Sequence, residues 1–130
     1  MNDTDFLRGI HEGNLPPSEL RHRGHLRLAF LVLRCHSLEE AMGIVGLALK
    51  GYAQSQGAID RYHETLTRFW VCMVYHTLEQ TSGVDNVDEL VERFPMLLEK
   101  GLPFRHWSRN SFDSAEARKS WVPPDLTPLP

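Results

Sequence analysis

The chain has 130 residues, 42% of them hydrophobic and 24% charged, with a net charge of −3 at neutral pH. That length supports one domain with its own hydrophobic core, and the composition is globular rather than fibrous or low-complexity. Interleaved charges without a basic block argue against nucleic acid as a partner, and apolar runs such as LAFLVL fall far short of the roughly 20 residues of a membrane-spanning helix.

The opening MNDTDFLRGIHEGNLPP (1–17) reads as an arm with one short helical run before Gly13. It is acidic and polar, without the charged and apolar regions of a secretory signal. Cys35 and Cys72 both fall inside helical apolar patterns and are expected to be reduced core residues. Together these features predict a cytoplasmic protein.

Pro16 and Pro17 end the arm, and Ser18 is placed to cap a helix over 19–36. On its wheel, at 100° per residue, His25, Leu26, Ala29, Leu33 and His36 lie within about 60° of His22. Arg23, Arg27 and Arg34 form a separate, water-facing stripe. Ser37-Leu38-Glu39-Glu40 is a capping box that opens a second helix to about Ser55, with Gly57 as its left-handed stop. Gly43, Gly46 and Gly51 lie inside it. Each costs about 0.5–1 kcal/mol relative to Ala, so the expectation is close approach of another helix, and this face is the first candidate surface for a homodimer.

Asp60 is expected to cap a third helix that runs to about Thr81. Its wheel gathers His63, Leu66, Thr67, Trp70, Val74 and Thr77 on one face. Glu64 sits at the border, able to turn inward or to pair with Arg68 at i,i+4. Asn86 opens a fourth helix, VDELVERF, which Pro95 interrupts or restarts before Gly101 ends MLLEK. Ser114 caps AEARKSW. The stretch VPPDLTPLP (122–130) is too rich in proline for a helix or a central strand, and is read as an extended strap held by Trp121, Val122, Leu126 and Leu129. The sum is an all-α, single-domain helical bundle over 1–130, with four main helices and short accessory ones.

The histidines carry the functional expectation. His22 and His25, three apart on one helix face, converge beside it, and His63 is predicted to face inward from another helix. Buried imidazoles need partners, since an unmatched buried polar group costs about 1–3 kcal/mol. The leading reading is a metal centre inside the bundle: His22, His25 and His63 as ligands of a divalent transition metal such as zinc, iron, copper or nickel. Glu64 would be a fourth ligand or general base, with Arg27 and Tyr62 as substrate-binding or supporting groups. A metal-free alternative lines a small-molecule pocket with the same residues and uses His63, polarised by Glu64 or Tyr62, as general base. A third reading makes the histidines structural. Trp70, on the His63 face, is a candidate pocket wall, while Trp107 and Trp121 are read as anchors for the C-terminal segment. His11, His36, His76 and His106 sit near helix ends or in loops and need no special role. No P-loop, G-x-S-x-G, H-E-x-x-H or dinucleotide fingerprint occurs.

In combination, the segments LPPSELRHRGHLRLAF, RYHETLTRFW and SFDSAEARKSWVPPDLTPL are similar to those of a family of small uncharacterised bacterial proteins. That family has an H-x-x-H-L segment after a Leu-Pro turn, a Y-H-E-T run and a W-V-x-P-D-L close. The resemblance implies that His22, His25, Tyr62, His63, Glu64 and the terminal strap belong to one recurring design. It implies no activity. Leu20 stands where some members have an aromatic residue.

Overall fold

A computed structural model describes residues 1–130, and its regular structure is all helical: seven α-helices joined by turns and four short 3-10 segments, with no strand. Asn2 accepts the Asp5 amide at 2.8 Å. With Gly13 in the left-handed region at the other end, this cap gives α1 (Asp3–Glu12), longer than the short run expected. Its buried face is Phe6, Gly9 and Ile10.

The helix expected over 19–36 is shorter at both ends. Pro17–Glu19 is a 3-10 turn, and α2 spans His22–Leu33 with Arg21, not Ser18, at the cap position. Gly24 explains the tight entry, because a Cβ there would overlap the Glu19 carbonyl. The early end leaves Cys35 exposed, so it is not the core residue its sequence pattern suggested.

The capping box forms as read: Ser37 Oγ accepts the Glu40 amide at 3.2 Å and Glu40 Oε1 accepts the Ser37 amide at 3.0 Å. The helix it opens, α3, is Leu38–Ser55, and Gly57 follows with φ 67°. Of its three glycines only Gly46 meets a close neighbour, with a Cβ there lying 3.1 Å from the Tyr62 hydroxyl. Gly43 and Gly51 face open space, and Leu47 between them is 74% exposed.

The third predicted helix begins later than expected. Residues Ile59–Arg61 form a 3-10 turn, and α4 runs Glu64–Glu79 with His63 as its N-cap. Asn86 caps α5 (Val87–Arg93), and Pro95 begins a 3-10 turn rather than a continuing helix. After a further 3-10 turn come α6 (Arg109–Phe112) and α7 (Ala115–Lys119), the latter capped by Ser114 as read.

Helix α4 packs on α2 and α3, α1 packs on α3, and α7 covers the start of α4. The interior is one cluster of 24 buried hydrophobic residues in which Phe6, Leu26, Phe69, Val74, Leu90, Leu97 and Trp107 are fully enclosed. Each such side chain contributes about 1.5–3 kcal/mol by leaving water. Beyond Lys119 no regular element forms. Trp107 Nε1–H donates to the Val122 carbonyl at 2.9 Å, His106 Nδ1–H to the Thr127 carbonyl at 2.8 Å, and Asp125 accepts the Ser108 amide at 2.8 Å. Trp121 packs edge-on against Trp107 at 5.6 Å, whereas Leu126 is 58% exposed and holds the segment only through its backbone amide, which donates to the His106 carbonyl at 2.9 Å.

Candidate functional site: a histidine-lined cavity

His63 is buried, but not because it occupies a helix face. Its backbone is extended (φ −137°, ψ 108°), so it precedes the first turn and the wheel argument does not apply to it. Its ring caps the helix instead: Nδ1 accepts the Leu66 amide at 3.1 Å, and Nε2–H donates to the Phe112 carbonyl at 2.7 Å. The imidazole also stacks on Phe112, with centroids 4.4 Å apart. Both nitrogens are therefore engaged, and the tautomer is fixed with the proton on Nε2. Burial lowers its pKa; the Phe112 bond opposes this, Arg118 adds to it and Asp113 counters it.

His22 and His25 do lie on one side of α2, facing α4. His22 Nε2–H donates to the Leu97 carbonyl at 2.7 Å, and the ring meets Trp70 edge-on at 4.6 Å. Burial lowers its pKa; the Leu97 bond resists that and the charge of Lys100 reinforces it. His25 has no such anchor. Burial, with His22 beside it, pushes its pKa down to about 4, so the ring is neutral at physiological pH.

All three rings line one cavity of about 500 Å³ between α2, α3 and the start of α4. The volume falls in the range of small-molecule sites, about 300–1,000 Å³. Eleven of its eighteen lining residues are hydrophobic, among them Leu20, Val45, Leu49, Leu66, Trp70 and Val71. Trp70 is thus a pocket wall, as its position on α4 suggested. Polar groups enter from Tyr62, Thr67 and the histidines, and two cations, Arg61 and Lys100, come from two separate turns.

The remaining predicted site residues divide. Tyr62 borders the cavity, but its hydroxyl donates to Glu64 Oε1 at 2.6 Å. Burial, and then that bond, raise the phenol pKa further above its ordinary value. Glu64 does not turn toward the histidines: Arg68 Nε–H donates to its Oε2 at 2.6 Å, and Lys50 Nζ stands 3.8 Å from Oε1. Burial works to raise this carboxyl, yet the Tyr62 and Arg68 hydrogen bonds and the charges of Arg68 and Lys50 win, and its pKa lies below the usual range. Pairing with Arg68, one of the two placements expected, is the one adopted. Arg27 is elsewhere. It is bound to Asp3 at 2.8 Å and to the Met1 carbonyl at 2.9 Å, lies over the Phe6 ring, and borders a separate polar cleft.

The three histidines therefore share a cavity without converging as a ligand set. No group of three or more His, Cys, Asp or Glu side chains stands in a metal-binding arrangement. Sequence reasoning missed Arg61 and Lys100. Arg61 adjoins Tyr62-His63 and was visible as a neighbour, while nothing in the sequence brings Lys100 beside His22. No family model, curated protein or solved structure matches the chain.

Proposed function

We propose that the chain is a metal-free small-molecule-binding module whose site is the cavity between α2, α3 and α4. The observation that carries this reading is that side chains from four separated segments enclose one volume of about 500 Å³ with an apolar interior and a few convergent polar groups. His22, His63 and Tyr62 are already held by protein acceptors, which makes them rigid walls. His25 is the ring left to meet a ligand, and, being neutral, it can act only by accepting a proton from a bound molecule. A metal centre built from His22, His25 and His63 would cost His63 at least the cap that its Nδ1 gives the Leu66 amide; the metal-free site asks for no such rearrangement.

The test is a thermal-shift screen of the untagged chain against small organic molecules and, separately, Zn²⁺, Co²⁺, Ni²⁺, Cu²⁺ and Fe²⁺. A ligand present at a hundred times its Kd adds about 2.7 kcal/mol to stability, and so raises Tm by several degrees. The expected result is a rise with organic ligands that Ala53→Trp, which fills the cavity, abolishes. A rise with metal ions that His25→Ala removes would overturn the reading in favour of the metal centre.

A further inference from the structure

The charged groups around the cavity are all of one sign. Arg61 and Lys100 line it, and no aspartate or glutamate does. Neither cation is engaged elsewhere: the ion pairs of the chain use Arg8, Arg23, Arg27, His36, Lys50, Arg68 and Arg105. The acids nearest in sequence do not pair with them. Glu99 binds Arg105 at 3.2 Å, and Asp60 shares an adjoining surface depression with Arg61 without forming an ion pair with it. Both cations are exposed residues, whereas the interior beyond them is Leu66, Val71 and the Trp70 ring. In a protein of net charge −3, an uncompensated positive rim over an apolar interior is a local reversal of sign. It selects for molecules negative at one end and apolar at the other.

We infer that the ligand of this cavity is a small organic anion, with its carboxylate or phosphate held at the rim by Arg61 and Lys100 and its apolar body against Leu66, Trp70 and Val71. This rests on the proposed binding function and deepens it by naming the ligand class. The two cations come from separate turns that both line the cavity, the 3-10 turn Ile59–Arg61 and the turn after Leu98. Binding an anion between them fastens those turns to one another.

The probes are phenylacetate, hexanoate and phenyl phosphate, with phenylacetamide and hexanamide as neutral partners of the same shape, each titrated by calorimetry at constant ionic strength. The anions should bind about tenfold more tightly than the amides, the size of a charge-assisted contact. The double variant Arg61→Gln/Lys100→Gln should erase that difference. Which anion binds best identifies the headgroup. Equal affinity for anions and amides, or anion affinity unaltered in the double variant, overturns the inference and leaves the cavity reading standing. Binding that survives in both Ala53→Trp and Ala58→Trp places the probes outside the cavity, and no binding by any probe leaves it without a small-molecule ligand. Either result overturns both readings.

Discussion

At the scale of single residues, His63 shows how one side chain can take two backbone jobs. It supplies the cap that a Ser or Asp would usually provide, and it ties the start of α4 to Phe112. His63→Ala should therefore cost about 2–4 kcal/mol in urea unfolding, one part for the lost cap and one for the orphaned carbonyl. His63→Asn should recover about 1 kcal/mol of this, because asparagine caps well but does not reach Phe112. Equal losses in the two variants would show that the cap contributes nothing. His25 makes a second prediction. The unfolded chain takes up a proton at this residue near its ordinary value of 6.5, while the folded site resists protonation down to about 4. Between those values the unfolded state binds more protons, so stability is complete above the window and falls as pH drops through it, by at most about 3 kcal/mol. His22 and His63, also held below their ordinary value, add to the same slope. Unfolding free energies between pH 7 and 4 should fall less steeply in His25→Gln than in the parent chain. At this scale the sequence put His63 inside the protein and misjudged the reason. A helical wheel assigns angles only to residues with helical backbone, and His63 has none.

At the scale of elements, the capping signals were the most readable part of the chain. Ser37-x-x-Glu40, Asn86 and Ser114 each open the helix their position announced, because a cap is a local bargain between one side chain and one amide. What local pattern could not show was how neighbouring segments press on a helix end. The 19–36 periodicity is continuous, yet the chain bends at Leu20–Arg21 because Gly24 admits the Glu19 carbonyl. The glycines separate accordingly. Gly24→Ala should destabilise by about 1–3 kcal/mol, as overpacking against backbone does. Gly43→Ala and Gly51→Ala, with nothing within 4 Å of the added carbon, should each stabilise by about 0.5–1 kcal/mol. Thermal melts of the three variants decide it; a loss in either α3 variant would mean that its surface is not bare in solution.

At the scale of the whole molecule, the all-helical class was plain from periodicity, since no stretch alternates as a strand does. The cavity was not, because it depends on α2 and α4 being neighbours and on Lys100 arriving from a distant turn. Nor could the sequence rank the residues of the terminal segment. Trp107 is completely enclosed and Leu126 is not, so Trp107→Ala should cost about 3–5 kcal/mol and Leu126→Ala should stay within about 0.5 kcal/mol of the parent chain. Denaturant midpoints of the two variants give the comparison directly.

The beginning of α4 is closed by residues that follow it much later in the chain. Thr65 donates to the Ser120 carbonyl at 2.9 Å and accepts the Val122 amide at 3.2 Å, and His63 waits for Phe112. A nascent chain that has left the ribosome only as far as α5 already owns the three helices around the cavity, but not the pieces that lock its wall.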